Sequence, residues 1–152
     1  MNKLTAFLSK IASSFNIEIG TFDDVNQILG RWEAISYEEK LYENGNLSNE
    51  DILMYGRDAY FEMVFKKNNR FIQIEKFKNI GQNTIEKSSR TGTFTIKGDQ
   101  IILFYGSVSE GNNNVTLNYS ISKNELITIN DYTQRDLDDD FRHVSKRVFL
   151  KI

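Results

Sequence analysis

The sequence contains no cysteine, which excludes disulfides, thiol nucleophiles and cysteinyl metal sites but is compatible with any compartment. It contains one histidine, His143. Haem would have that residue as its sole axial candidate, and a lone histidine near a strand end is more commonly a surface or structural group. Charge of one sign is not concentrated anywhere: 19 Lys and Arg against 21 Asp and Glu leave a net charge of −2. The two signs are interspersed, so the basic footprint needed to bind a phosphate backbone is missing and no nucleic-acid partner is expected. Long apolar runs are missing too. The patch Ala6-Phe7-Leu8 is soon interrupted by Lys10 and no small-residue cleavage site follows, unlike a secretory leader. No stretch approaches the ~20 apolar residues of a membrane-spanning helix. The expectation is a cytoplasmic protein without a membrane span, or a secreted or periplasmic one if a leader has been removed.

Aromatic residues, in contrast, are abundant. Eleven Phe and seven Tyr fall mostly in alternating runs, as suits side chains that fit a pleated, half-buried surface. With 152 residues, 39% hydrophobic and 26% charged, the chain is long enough to bury one core without staples and too apolar to be disordered throughout.

Residues 1–29 read as an N-terminal helical extension. Leu4, Phe7, Leu8, Ile11 and Phe15 recur at helical spacing, giving a helix that leans on the remainder, or one that lies on a membrane surface or meets a partner. Thr21-Phe22-Asp23-Asp24 then predicts a helix start, with Thr21 as N-cap and Gly30 at the end. From Gly30 onward the signals are those of strands. The first spans about Arg31 to Glu38. Lys40 to Asp58 is predicted as a long connection with a helical turn or two near Ser48, of the kind that forms lids or binding loops.

Alternation then predicts strands over Tyr60–Lys66, Arg70–Glu75, Ser89–Lys97, Gln100–Tyr105, Val115–Ile121, Leu126–Ile129 and His143–Lys151. Their connections are a turn at Lys67-Asn68-Asn69, a looser one from Asn79 to Lys87, Gly98-Asp99, a polar loop over Ser107–Asn113, Lys123-Asn124, and an acidic loop from Gln134 to Asp140. Eight strands joined in sequence predict an all-β, up-and-down antiparallel barrel over residues 30–152, closed so that no edge is left bare. An interior of that size is filled by side chains or holds one small ligand.

These residues resemble a known family. Gly30-Arg31-Trp32 is similar to the G-x-W signature of the lipocalins and their calycin relatives, and the stretch from Gly92 to Ile101, with Tyr119-Ser120-Ile121 and Leu126-Ile127-Thr128, is similar to small bacterial lipocalin-like domains. The resemblance covers about Gly30 to Ile152. It implies that a basic residue near the end of the last strand packs over Trp32, and Arg147 is the matching candidate, so Gly30, Trp32 and Arg147 form the expected barrel-closing set. Intracellular fatty-acid-binding proteins, which share an early G-x-W, end in an Arg-x-Tyr pair that holds a ligand carboxylate. Arg147-Val148-Phe149 lacks that tyrosine.

The function expected is non-enzymatic binding of a small apolar or amphipathic molecule, since no nucleophile stands beside a base by spacing and no cofactor or metal motif is present. Phe61, Met63, Phe65, Phe94 and Ile96 are candidates for the barrel interior, as are Leu103, Tyr105, Leu117 and Tyr119, with Tyr55 at the mouth. The alternative is a protein-binding module, of inhibitor or immunity type, with a filled core and active outer loops. Asp136, Asp138, Asp139 and Asp140 would then face the partner. Their spacing lacks the glycine and distal glutamate of a calcium loop, so they otherwise read as a solvated, mobile loop.

Overall fold

Alternating aromatic and polar residues make nine antiparallel strands in the computed structural model, which describes residues 22–79, 81–106 and 114–152. A short helix α1 (Phe22–Ile28) leads into β1 (Gly30–Glu43), β2 (Asn46–Met54), β3 (Ala59–Phe65), β4 (Arg70–Asn79) and β5 (Thr84–Lys97). The chain continues through β6 (Gln100–Tyr105), β7 (Asn114–Ser122), β8 (Glu125–Asp136) and β9 (Asp139–Lys151). The predicted Leu4–Phe15 helix, the Thr21 cap and the Ser107–Asn113 loop lie outside the described residues.

From β3 onward each strand pairs with the next, and β9 pairs back onto β1 from Trp32↔Lys151 to Glu43↔Phe141. With β3 paired to the start of β1 through Gly30↔Phe65 to Glu33↔Glu62, eight strands close into a barrel. The eight expected strands are those eight. Among the described residues the ninth, β2, pairs only with β1 and stands at the edge of the sheet.

That ninth strand corrects the predicted Lys40–Asp58 connection. The segment is no lid loop: β1 runs on to Glu43, turns at Asn44-Gly45 with φ of 50° and 83°, and returns as β2. Positive φ at both central residues is the hairpin turn that Asn-Gly favours. Every residue of β2 is exposed, so it carries no apolar alternation to betray a strand. The predicted looser connections shrink for the same reason. β4 and β5 extend to Asn79 and from Thr84, and the Gln134–Asp140 loop becomes a tight turn at Leu137-Asp138 between paired strands.

The core lies on one parity of each strand. Trp32, Phe71, Ile101, Leu103, Leu126 and Phe149 are fully buried, each worth roughly 1.5–3 kcal/mol of apolar burial. β1 beyond Ser36, β9 before Ser145 and β8 beyond Asn130 pair only with one another and with β2, forming a four-stranded flap β2-β1-β9-β8 above the barrel body. The distal β4–β5 hairpin projects at the same end.

On the outer face, Glu62 is buried to 3% exposure and is held by Arg31 through Nε at 2.8 Å and Nη2 at 3.2 Å, with the Tyr60 hydroxyl also donating to it. The hydrogen-bonded guanidinium keeps Glu62 below the ordinary carboxyl value of 4.5, against the opposing effect of burial. Burial, then the Glu62 carboxylate, pushes Tyr60 up to about 12. A depressed carboxyl contributes stability at neutral pH that is lost as pH falls below about 4.5. A raised phenol contributes stability lost as pH rises from 10 through about 12. Glu62→Gln is therefore expected to lower Tm at pH 7, with the difference from the native protein vanishing on acidification. Parallel Tm curves against pH would show that Glu62 does not set the acid limb.

Candidate functional site

Period-two alternation sends Phe61, Met63 and Phe65 of β3 inward together with Leu103 and Tyr105 of β6 and Leu117 of β7, and the six meet around a cavity of about 220 Å³. Opposite them, β8 and β9 supply Thr128, Asn130, Ser145 and Arg147. The same two strands also supply Leu126 and Phe149, and Gln73 of β4 adds an amide across the cavity, so the polar groups gather mainly on the β8–β9 side.

Arg147 is the centre of the polar side. Its guanidinium carbon lies 3.9 Å from the Phe61 ring centroid and 4.8 Å from that of Tyr37, so the planar group is held by two aromatic rings. Register explains the placement, because Arg147 stands directly across from Tyr37 on β1 and from Thr128 on β8. Its Nε donates to the Tyr55 hydroxyl at 3.2 Å. Tyr55 reaches it because the 55–58 connection is pinned to β1 by Tyr55 N donating to Ile35 O at 3.1 Å and to the start of β3 by Gly56 N donating to Ala59 O at 2.9 Å.

A second polar chain crosses the wall. The Tyr105 hydroxyl donates to Gln73 Oε1 at 2.8 Å, and Gln73 Nε2 donates to Glu75 Oε1 at 2.7 Å. Burial raises the Tyr37 and Tyr105 phenols, in Tyr105 against the opposing charges of Arg90 and Arg147, so both stay protonated at neutral pH.

The predicted barrel-closing pair is corrected here. The cation over Trp32 is Lys151, with Nζ 5.3 Å from the ring centroid, because Lys151 is the residue registered opposite Trp32. Arg147 lies four residues up the same strand, about 13 Å away at the usual rise per residue, and belongs to the cavity. Trp32 itself is wholly buried, and its Nε1 donates to Ile28 O at 2.7 Å, fastening α1 beneath the barrel.

No protein-family model and no curated protein matches this chain.

Of the other expected interior residues, Phe94 and Tyr119 are buried in the core cluster and Ile96 packs against it, without lining the cavity. Phe94 meets Phe65 edge-on at 5.0 Å between centroids. Tyr37, Gln73, Thr128, Asn130 and Ser145 line the cavity without having been anticipated. Alternation from Phe149 inward through Arg147 to Ser145 was the signal available for the last of these. Asp136, Asp138, Asp139 and Asp140 stand exposed at the flap tip, remote in register from the cavity. They belong to a tight turn and its paired strands, not to a long loop: Asp139 accepts from Asn44 Nδ2 at 2.9 Å, the Asp140 backbone N donates to Asn44 Oδ1 at 2.9 Å, and Asp140 faces Arg135 at 3.6 Å.

The outer face of the flap carries another depression, between Lys40, Tyr42, Arg142 and Lys146. Two of its cations are already matched there, Lys40 by Glu38 at 3.2 Å and Arg142 by Asp131 at 2.6 Å. Among the described residues no group of three or more His, Asp or Glu side chains converges as a metal site, and no helix is long and apolar enough to cross a membrane.

Proposed function

We propose that this is a lipocalin-like binding barrel that takes a small apolar or amphipathic molecule into the cavity above Trp32, without chemical turnover. The observation that carries this reading is the cavity itself: the closed barrel is filled near its floor by aromatic side chains, yet about 220 Å³ stays open higher up, between apolar and polar walls. Interior space of that kind is where small ligands bind in barrels of this size. The G-x-W at the start of β1 and the closed antiparallel meander support the lipocalin-like assignment.

An environment-sensitive apolar dye tests it, paired with native mass spectrometry for a co-purifying mass. Saturable uptake is expected, and Leu117→Trp, which fills the cavity, is expected to weaken uptake by about tenfold or more with the circular dichroism spectrum unchanged. A clean apo mass together with no saturable uptake by the native protein would remove the reading.

A further inference from the structure

Arg147 is the one charged residue among the fifteen described residues that line the cavity. No carboxylate among the described residues lies within ion-pair distance of it, whereas Arg31, Arg135 and Arg142 each face an Asp or Glu. A guanidinium carries five N–H donors and no acceptor. Here Nε is occupied by the Tyr55 hydroxyl, and among the described residues the two terminal nitrogens have no acceptor. The flanking rings of Phe61 and Tyr37 hold the plane of the group while removing water from its faces. A half-buried cation lacking a counter-charge is costly, and an incoming anion would relieve that cost.

The neighbouring groups fit the same role. Thr128 stands across from Arg147 and Asn130 across from Ser145, so hydroxyl and amide donors flank the guanidinium. Among the described residues no acidic side chain lines the cavity; the Glu75 carboxylate is taken up by Gln73 Nε2 at 2.7 Å. Facing the polar wall are Phe61, Met63, Leu103 and Leu117, an apolar surface for the rest of the ligand. The volume of about 220 Å³ is below the roughly 300–1,000 Å³ of drug-sized sites, so a long acyl chain does not fit and a compact body does.

We infer that the cavity selects compact amphipathic monoanions, an aromatic or short-chain carboxylate being the type, with the end of the Arg147 guanidinium as the anion site. This rests on the binding reading above and narrows it. A carboxylate matches the planar fork by two parallel hydrogen bonds; a sulfonate head shares the single charge and would be told apart by weaker binding at equal body size.

The test compares three probes of one body: 3-phenylpropionate, 3-phenylpropan-1-ol and 3-phenylpropylamine, titrated calorimetrically into the native protein. The acid is expected to bind on the order of 10- to 100-fold more tightly than the alcohol, and the amine not at all. Arg147→Gln is expected to erase the preference for the acid, and Arg147→Lys to retain part of it, each variant checked for fold by circular dichroism. Equal affinity for acid and alcohol in the native protein overturns the anion inference while leaving the binding barrel standing, and needs no variant. Failure of all three probes together with absent dye uptake removes the binding reading and this inference with it.

Discussion

Gly92→Ala is expected to destabilise the protein by about 3 kcal/mol or more, the upper range of overpacking a closed core, and to lower Tm by roughly 6–12 °C for a chain of this size. A Cβ at this position would lie 2.0 Å from the Phe104 carbonyl oxygen, 2.9 Å from its carbon and 2.8 Å from Cε1 of Phe71. Two of those atoms are backbone of the neighbouring strand, so no side-chain rotation relieves the contact. Gly92 sits where β5 passes from its exposed distal half to its core-facing half, and it pairs with Phe71 on one side and Tyr105 on the other. Glycine inside a strand commonly marks such a close backbone approach. Gly56→Ala is the matched control: nothing lies within 4 Å of its added Cβ and its φ is not positive, so its change is expected within about 0.5 kcal/mol. Urea unfolding followed by circular dichroism measures both, and equal midpoints for G92A and the native protein would contradict the close approach.

The barrel was legible in the sequence because closure forces one strand face inward. Gln100–Tyr105 alternates in burial, Phe61, Met63 and Phe65 are buried at every second position of β3, and the turns at Asn69 and Gly98 adopt the positive φ their residue types allow. β2 was illegible for the opposite reason. A strand exposed throughout has no buried face to impose a period, and Ser48-Asn49-Glu50-Asp51 carries the polar residues of a helix start while serving as an edge. The Asn44-Gly45 dipeptide was the missed sign.

The cavity was half legible. Its apolar wall follows from the alternation of Phe61, Met63 and Leu117, but its polar wall depends on which residues β1, β8 and β9 set side by side. Register across non-local strands is not written in any one segment, and a β-bulge between Ala34 and Ser36 shifts it further. Family analogy set Arg147 over Trp32; the register gives that place to Lys151 and releases Arg147 to face the interior.

Trp32→Phe carries the second large effect, an expected loss of about 2–4 kcal/mol. Part is the volume lost from a site with no exposure, and part is the Ile28 carbonyl, which accepts from the indole N–H at 2.7 Å and would be left buried without a donor. Lys151 above the ring contributes far less: Lys151→Ala is expected to cost no more than ~1 kcal/mol, and its effect should disappear in the Trp32→Phe background if the cation and the ring interact. Because Trp32 is the only tryptophan, unfolding must be followed by circular dichroism. The same bond predicts where the damage spreads. α1 has seven residues, too few to hold a helix in water alone, and its buried Ile28 docks beside the indole. Amide exchange over Phe22–Ile28 should therefore accelerate in W32F well beyond the change in β6 or β8. Uniform acceleration would mean that the floor fails only with the whole barrel, and that the indole–carbonyl bond is not what fastens the helix to it.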